Sequence, residues 1–364
     1  MSAPPVLRIE GLTKHYLARD GGGVTRAVDG VSLEIMAGET LALVGESGCG
    51  KSTTARCALR LIAPSGGRVM FEGVDVLALA PAELRRMRRR FQFVFQDPFA
   101  SLNPRMCMGA ILEEPLLVHR MGDRARREAR VAELLVMVGL GPDHARRFAH
   151  ELSGGQRQRV GIARALATSP SLVICDEPVS ALDVSVQAQV LNLLSDLKRA
   201  LGLSYLFITH DLGVVRRVAD RVAVMLHGRI VEIATVGSLF GQPAHPYTAR
   251  LLDATPVLDP ARRQAAHDPG AEAPAPAFRP AGPEGCSYTG RCAVAIARCA
   301  REAPSLRAIA EGHLVACHRG GELPLPAPFE DAALSSVAQR RLALLDRLAD
   351  AASSSCNEGA SHVD

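Results

Sequence analysis

Three short segments of the 364-residue chain follow one another in an order that leaves few folds open. A glycine-rich loop, GESGCGKST, occupies residues 45–53, LSGGQRQR occupies 152–159, and an apolar run ending in two acids, SLVICDEP, occupies 171–178. The first segment has the spacing G-x-x-x-x-G-K-S, in which a strand leads into a phosphate-binding loop and then into a helix. The chain is therefore predicted to have an α/β fold built on a phosphate-binding loop.

The residues of this loop provide the groups that a nucleoside triphosphate requires. A buried strand is predicted at 40–44, and a helix is expected to begin near Lys51. The loop glycines let successive N–H groups point inward at the positive end of that helix. Lys51 is expected to reach the β and γ phosphates, and the hydroxyl of Ser52 is expected to bind Mg²⁺. The predicted nucleotide ligands are Gly45, Glu46, Ser47, Gly48, Cys49, Gly50, Lys51, Ser52 and Thr53.

Two carboxylates stand side by side at the end of another predicted strand. The apolar run at 172–175 suits a central parallel strand covered on both faces, and Asp176 and Glu177 follow it directly. Adjacent residues of a strand point to opposite sides, so Asp176 is expected to hold Mg²⁺ while Glu177 orients the water that attacks the γ phosphate. The alternative, two solvated acids at a strand end, is less consistent with the apolar run before them and the SALD sequence after them.

The position of LSGGQ between the other two segments resembles the ATP-binding cassette (ABC) family. By itself this segment would indicate a helix N-terminus capped by Ser153. The resemblance implies a P-loop NTPase fold with a parallel-sheet core and an N-terminal antiparallel β portion, within a nucleotide-binding domain at 1–255. It also implies a helical subdomain inserted at about 97–167.

The same resemblance assigns roles to three separate side chains. Gln96 resembles the glutamine that approaches Mg²⁺ and the attacking water, and His210 resembles the switch histidine that contacts the γ phosphate. Tyr16 resembles the aromatic residue that stacks on adenine. Without the family match, His210 would be interpreted as a surface residue at a strand end, and Tyr16 as a packing residue.

LSGGQ also implies that two ATPase subunits share each nucleotide. A helix N-terminus binds anions, but the phosphate loop of the same chain already surrounds the triphosphate. In the family that the chain resembles, this second anion site faces the nucleotide of another subunit, so ATP holds two head-to-tail subunits together until it is hydrolysed. The residues expected to act on the nucleotide of the second subunit are Ser153, Gly154, Gly155, Gln156 and Asp183.

The segment after the ATPase motifs carries the subfamily information. An HPYT sequence at 245–248, an Ala/Pro-rich linker at 256–283 and a small cysteine-containing C-terminal extension at 284–320 are similar to the corresponding part of oligopeptide and dipeptide importer ATPases. This resemblance implies an ATP-hydrolysing subunit on the cytoplasmic face of the bacterial inner membrane. Its expected partners are two transmembrane permease subunits, a second ABC ATPase that is either a copy or a paralogue, and, indirectly, an extracytoplasmic solute-binding protein. Transport of nickel or another small solute, and a soluble ABC ATPase without a transport role, remain as alternatives.

Four of the nine cysteines fall close together in the extension. Converging thiolates could hold a [4Fe–4S] cluster or a tetrahedral Zn²⁺, and either would stabilise a segment too small for much of a core. The spacing lacks C-x-x-C pairs, so unligated thiols remain an open alternative. The candidate ligands are Cys286, Cys292, Cys299 and Cys317. Residues 321–364 are predicted to form one helix, at 334–348, followed by a disordered end.

Composition limits the class of protein further. The formal net charge is only +4 and the chain has three lysines, so a nucleic-acid partner is not indicated. The N-terminus lacks the pattern of a secretory signal, and no run of about eighteen apolar residues predicts a membrane span. A soluble chain is therefore expected. Cys49 and Cys175 lie inside the ATPase motifs, where a disulfide would interfere, so a reducing compartment is expected as well.

Overall fold

The described strands form one large and one small sheet, and the described helices pack with them. The computed structural model describes residues 4–17, 23–97, 101–254 and 284–322, so the predicted linker and nearly all of the predicted tail lie outside the described residues. The strands are β1 (Leu7–Leu17), β2 (Val24–Ile35), β3 (Thr40–Val44), β4 (Gly66–Phe71), β5 (Val74–Asp75), β6 (Phe91–Val94), β7 (Leu172–Asp176), β8 (Ser204–Ile208), β9 (Arg221–Leu226), β10 (Arg229–Thr235), β11 (Arg307–Ala310) and β12 (His313–Val315). The helices are α1 (Lys51–Ala58), α2 (Pro81–Arg88), α3 (Met108–Val118), α4 (Arg124–Met137), α5 (Gly154–Leu166), α6 (Val184–Leu201), α7 (Leu212–Val218), α8 (Val236–Gly241) and α9 (Pro246–Asp253).

The large sheet has the strand order β11-β12-β10-β9-β3-β8-β7-β6. The neighbours from β9 to β6 are parallel to one another. Every residue of β3, β7 and β8 is buried, which explains why these strands are mostly continuous apolar runs instead of alternating ones. The predicted α/β core with a parallel sheet is therefore confirmed. Because β3, β8 and β7 are neighbours, the loops that follow them meet at one edge of the sheet.

The C-terminal extension continues the large sheet at its other end. β12 pairs antiparallel with β10, where Val315 lies opposite Glu232, and β11 pairs antiparallel with β12. β10 is in turn antiparallel to β9. The sequence did not predict these two pairings, because strands of three and four residues are too short to show an alternating pattern.

The small sheet is antiparallel and has the order β2-β1-β4-β5, as expected for the N-terminal β portion. Its buried residues, such as Leu7 and Phe71, share one apolar cluster with Leu43 of β3 and Ala55 of α1. Phe71 also stacks on Phe91 of the large sheet, with ring centroids 4.6 Å apart. Helix α1 thus packs against both sheets, and this packing fixes the helix that follows the phosphate-binding loop.

Helices α3, α4 and α5 form an insertion between β6 and β7. Leu135 of α4 and Val160 of α5 belong to an apolar cluster that continues to Val173 of β7. Two short 3₁₀ turns, Pro142–Arg146 and Ala149–Glu151, connect α4 to α5. LSGGQ consequently lies at the junction between this insertion and the sheet core.

Among the described helices, α6 is the longest, with 18 residues that include Asp196, Lys198 and Arg199. Over the parts of the chain that the structure describes, no helix combines the length and the apolar character needed to cross a membrane.

Candidate nucleotide-binding site

The loop between β3 and α1 surrounds a cavity at the edge of the large sheet. Gly45 and Gly50 have positive φ angles of 151° and 110°, and Gly50 directly precedes α1. A Cβ atom at Gly50 would lie 2.1 Å from the carbonyl oxygen of Ala27. At Gly45 it would lie 2.2 Å from the carbonyl oxygen of Met225. Only glycine fits at these two positions, so they determine the path of the loop.

Lys51 places a buried positive charge at the base of the loop. The residue is 5% exposed, and its Nζ donates to the carbonyl oxygens of Gly45 and Glu46 at 2.8 Å each. Carbonyl groups offer only partial negative charge, and a buried ammonium is costly without a full counter-charge. A bound phosphate would supply that charge, which supports the predicted role of Lys51.

Ser52 and Asp176 meet where the loop faces β7. The Ser52 hydroxyl donates to Oδ1 of Asp176 at 2.7 Å. Burial raises the pKa of the Asp176 carboxyl group, although the hydrogen bond from Ser52 and the charge of Arg56 act in the opposite direction. The second oxygen, Oδ2, has no hydrogen-bond partner and lies 3.7 Å from the Arg56 guanidinium. A hydroxyl beside an unsatisfied buried carboxylate oxygen is a set of hard oxygen ligands, which fits the predicted Mg²⁺.

Sequence reasoning missed Arg56. The signal was its position four residues after Ser52, because residues at i and i+4 lie on the same face of a helix. Its charge faces Asp176 from α1.

Three predicted residues converge where β6, β7 and β8 end. Glu177 Oε2 accepts a hydrogen bond from Gln96 Nε2 at 3.0 Å, and Glu177 Oε1 lies 3.1 Å from Nδ1 of His210. Glu177 has a φ of 47°, a left-handed conformation that costs a residue other than glycine about 1 kcal/mol. Its N–H donates to the carbonyl of Ile208 at 2.9 Å, which helps to hold this conformation. The end of β7 thereby directs the Glu177 carboxylate into the cavity.

The cavity has a volume of about 370 Å³. The loop and the start of α1 offer an ammonium group, hydroxyls and backbone, and the residues that follow β6, β7 and β8 offer an amide, a carboxylate and an imidazole. A metal-bound triphosphate suits the first set of groups, and a water molecule held by the carboxylate suits the second. The lining residues are Ala27, Ser47, Gly48, Gly50, Lys51, Ser52, Thr53, Gln96, Glu177 and His210.

Some predicted nucleotide ligands lie outside this lining. Tyr16 is on β1 with 41% exposure, and Gly45 is buried. The Cys49 side chain is buried, and this burial raises the pKa of its thiol. The backbone N–H of Glu46 donates to the hydroxyl of Tyr247 at 3.0 Å. The Tyr247 contact was missed because the HPYT sequence was interpreted only as a subfamily marker.

LSGGQ forms the start of α5, with Ser153 as the N-cap residue. Ser153 Oγ accepts from the N–H of Gln156 at 3.3 Å, and Gln156 Oε1 accepts from the N–H of Ser153 at 3.0 Å. None of the LSGGQ residues lines the cavity that this structure describes around Lys51. The first turn of a helix retains further N–H groups without partners inside the helix, so this end can receive an anion from outside the chain.

Two of the predicted interface residues also have roles inside the chain. A Cβ atom at Gly155 would lie 2.3 Å from Cγ1 of Val186, so α5 approaches α6 this closely only with glycine. At Gly154 the nearest atom would be Cδ2 of Leu182 at 3.6 Å, an ordinary contact. Asp183 caps α6 and accepts from the N–H of Val186 at 2.9 Å, a hydrogen bond that lowers the pKa of Asp183.

The four cysteines predicted as candidate metal ligands line one small cavity in the extension, together with Tyr288. Burial raises the pKa of the thiols of Cys286, Cys292 and Cys317, the last to about 11. All four, including Cys299, are free thiols. Over the described residues, no group of three or more His, Cys, Asp or Glu side chains is placed to hold a metal ion. The thiols therefore converge, but their arrangement does not support the predicted [4Fe–4S] cluster.

A phosphate-binding loop after β3, an acidic pair after β7 and LSGGQ on α5 define an ATPase of the ATP-binding cassette class. A family model described as ABC transporter matches residues 28–180, and a second model, oligopeptide/dipeptide transporter, C-terminal region, matches residues 231–299. The chain belongs to the ABC transporter family, in the group whose members carry this oligopeptide/dipeptide C-terminal region. The predicted family is thus confirmed.

Similar proteins match this chain over most of its length. The putative peptide import ATP-binding protein of Brucella ovis is 50% identical over 319 residues, which cover 88% of this chain and 99% of the relative. The oligopeptide transport ATP-binding protein AppF of Bacillus subtilis is 47% identical over 322 residues, which cover 86% of this chain and 97% of the relative.

A solved structure supports the fold. The dimeric ATP-binding cassette MJ0796, in a post-hydrolysis state bound to ADP and Pi, is similar with a TM-score of 0.58 at 32% sequence identity. The similarity covers 63% of this chain and 98% of that one.

Proposed function

We propose that this chain hydrolyses ATP to power the import of oligopeptides or dipeptides across the bacterial inner membrane. The observation that carries the ATPase part is the contact of Gln96 and His210 with the two oxygens of Glu177, in the cavity that Lys51 also lines. The C-terminal region at 231–299 and the names of the relatives, which are peptide import and oligopeptide transport ATP-binding proteins, support the substrate class. Nickel or another small solute is the alternative cargo. The C-terminal region at 231–299 does not favour the other alternative, a soluble ATPase without a transport role.

The loop end of the cavity binds the nucleotide. Lys51 and the loop N–H groups contact the β and γ phosphates, and Ser52 and Asp176 would hold Mg²⁺. When bound, this ion neutralises charge on the phosphate oxygens. Tyr16 provides an exposed ring for stacking on adenine.

The side chains that follow β6, β7 and β8 act on the attacking water. Glu177 accepts a hydrogen bond from the water and holds its oxygen in line with the γ phosphorus atom. Gln96 fixes one oxygen of Glu177, and His210 lies beside the other. His210 also contacts the γ phosphate, so the position of the carboxylate responds to the presence of that phosphate.

Hydrolysis requires a second ATPase subunit, either a copy of this chain or a paralogue. Ser153, Gly154, Gly155 and Gln156 bind the γ phosphate that the other subunit holds, and Asp183 lies at the same interface. Two shared nucleotides close the dimer, and loss of the γ phosphate removes contacts to both halves. The dimeric form of the similar cassette MJ0796 supports this arrangement.

The complete transporter contains two transmembrane permease subunits, to which an extracytoplasmic binding protein delivers the solute. The chain lies on the cytoplasmic face of the inner membrane and transmits ATP-driven closure to the permeases. The import function named for the relatives supports this placement.

Uptake by cells that express the chain with its cognate permease genes tests the transport proposal. Cells with the wild-type chain should accumulate labelled dipeptides and oligopeptides, and cells with Lys51→Ala should not. Lys198→Ala is the matched control, because this lysine pairs with Asp220 on the surface and lies outside the cavity. Accumulation of nickel instead of peptide would favour the alternative cargo, and equal uptake by wild type and Lys51→Ala would contradict the proposal.

The four-cysteine cavity is the place to test for the predicted [4Fe–4S] cluster, with zinc and unligated thiols as the alternatives, because no ready-made metal-ligand group stands among the described residues. The convergence of Cys286, Cys292, Cys299 and Cys317 on one cavity supports a shared ligand. Bound metal would keep the thiols as thiolates against the effect of their burial. Anaerobic purification followed by iron, acid-labile sulfide and zinc analysis decides among the three. Colourless protein without iron contradicts the cluster.

A further inference from the structure

We infer that the C-terminal extension positions the phosphate-binding loop, and that Tyr247 of the HPYT sequence is the positioning residue. Tyr247 lies at the start of α9 and is 2% exposed. Its hydroxyl accepts a hydrogen bond from the backbone N–H of Glu46, 201 residues earlier, at 3.0 Å. The inference rests on the proposed ATPase function, because it assigns Tyr247 to the support of that phosphate site.

The peptide group between Gly45 and Glu46 is held at both of its polar atoms. Its N–H donates to Tyr247, and its carbonyl oxygen accepts from Lys51 Nζ at 2.8 Å. A peptide group is planar, so fixing the direction of the N–H also fixes the carbonyl that receives the ammonium group. Loss of the Tyr247 hydroxyl would leave a backbone N–H without its partner and would allow the peptide to rotate. Lys51 would then lose its position for phosphate.

A buried acid anchors the start of α9 to the extension. The Glu232 carboxylate accepts from the N–H groups of Ala244 and His245 at 2.7 and 2.9 Å, and it lies 2.8 Å from Nε2 of His313 on β12. His245 Nδ1 accepts from the N–H of Tyr247 at 3.0 Å. Because β12 is part of the extension, Glu232 couples the extension to the helix end that carries Tyr247.

The extension also contacts the Tyr247 ring and Glu46 directly. Tyr288, which lines the four-cysteine cavity, meets the Tyr247 ring edge-on, with centroids 5.6 Å apart. Arg291 approaches the Glu46 carboxylate at 3.6 Å, but both side chains are exposed, so this ion pair contributes little. Tyr247 is therefore the main contact through which the extension acts on the loop.

The ATP kinetics of Tyr247→Phe test this inference, because phenylalanine keeps the ring and removes only the hydroxyl. The KM for ATP should rise about 3- to 10-fold, with kcat changed less than about twofold. Tyr205→Phe is the matched control: Tyr205 is 3% exposed, and its hydroxyl donates to the carbonyl of Leu194 at 3.2 Å. This control should leave the KM unchanged. Hydrogen–deuterium exchange in the 45–50 segment should accelerate only in Tyr247→Phe.

Three results would overturn the inference. The first is an unchanged KM for ATP in Tyr247→Phe. The second is an equal rise of this KM in Tyr247→Phe and Tyr205→Phe, and the third is a rise of the KM in Arg291→Ala without a rise in Tyr247→Phe. If Tyr247→Phe does not fold, Tyr288→Leu removes the ring support instead and should raise the KM in the same direction. Calorimetry measures the affinity of the variants for ATP without requiring hydrolysis, so it tests the role of Tyr247 separately from the proposed function. A wild-type chain that binds ATP but does not hydrolyse it would contradict the proposed function alone.

Discussion

His210 Nδ1 lies 3.1 Å from Oε1 of Glu177, and both residues line the cavity that Lys51 also lines. The two residues follow neighbouring parallel strands, β8 and β7, so the sheet itself brings them together. Gln96, after the next strand β6, donates to the other oxygen of the same carboxylate. The Glu177 carboxylate therefore has a defined orientation before nucleotide and water bind.

Glu177→Gln is expected to abolish turnover while ATP still binds. The amide is close in size but cannot act as a base toward the attacking water, so kcat should fall by at least about 100-fold. Steady-state ATPase assays and calorimetric ATP binding measure the two effects. Size-exclusion chromatography with ATP should show that Glu177→Gln stays dimeric, because the bound ATP is not hydrolysed.

Glu83→Gln is the matched control for this substitution. Glu83 caps α2 by accepting the N–H of Ala80 at 3.1 Å, and glutamine preserves this hydrogen bond. The kcat of Glu83→Gln should equal that of the wild type. Hydrolysis by Glu177→Gln at the wild-type rate would show that Glu177 is not the base.

Asp176→Asn is expected to stabilise the Mg²⁺-free protein and to abolish Mg²⁺ binding. Burial raises the pKa of Asp176 in the folded state above its value in the unfolded chain. The contribution of this group to folding stability is therefore fully present below the pKa of the unfolded chain, and it is lost as the pH rises through the pKa of the folded state. Ionisation of the buried carboxyl group therefore opposes folding, whereas an amide remains neutral and still accepts from Ser52. The variant should show a higher Tm without Mg²⁺, and Mg²⁺ should no longer add to the rise in Tm that ATP alone produces.

Asp183→Asn is the control for Asp176→Asn, because the pKa of Asp183 is shifted in the opposite direction. A hydrogen bond from the N–H of Val186 lowers the pKa of Asp183, so its contribution to stability is present above the unfolded pKa and decreases in acid. This variant should have a lower Tm than the wild type at pH 7. A lower Tm for Asp176→Asn as well would contradict the assigned cost of the buried carboxylate.

Gly155→Ala is expected to destabilise the chain itself. The new methyl group would meet Cγ1 of Val186, and overpacking of this kind costs about 1–3 kcal/mol. Urea unfolding measures the loss, and Val186→Ala in the same chain should recover most of it. Gly154→Ala, with its nearest contact at 3.6 Å, should change stability little. Equal stability of Gly155→Ala and the wild type would rule out this packing role.

Much of the site followed from the sequence because its parts are local. The G-x-x-x-x-G-K-S spacing predicted the strand at 40–44 and the helix beginning at Lys51, and the apolar run at 172–175 predicted β7. Long-range packing was not predictable in this way. No local pattern indicates that Gly155 must accommodate Val186, or that Tyr247 accepts from the N–H of Glu46. Such contacts depend on where the sheet places distant segments.

The packing of α9 is expected to weaken in acid. Burial lowers the pKa of His245 to about 4 from 6.5, although the charge of Glu232 acts in the opposite direction. The neutral imidazole therefore contributes stability above pH 6.5, and this contribution, on the order of 3 kcal/mol, is lost as the pH falls toward 4. His245→Asn, which can still accept from the N–H of Tyr247, should reduce the loss in urea unfolding between pH 7 and 4.5.

His227→Asn is the control for this pH dependence. His227 is exposed and has a φ of 45°, a conformation that asparagine tolerates. It should retain the full acid sensitivity of the wild type. The same acid sensitivity in His245→Asn would contradict the assignment to His245.

A mixing experiment tests most directly the central claim that two subunits complete each ATPase site. Lys51→Ala damages the phosphate loop and Ser153→Arg blocks the start of α5, so each variant alone should be inactive. In a mixture, half of the dimers contain both variants and have one intact site of two, so activity should recover to about a quarter of the wild-type rate. Lys51→Ala mixed with the Lys51→Ala/Ser153→Arg double variant should stay inactive. The test applies when the wild-type chain alone hydrolyses ATP, so that the second subunit is a copy of this chain. Wild-type turnover by Ser153→Arg alone, or a mixture no more active than its components, would then contradict the shared site.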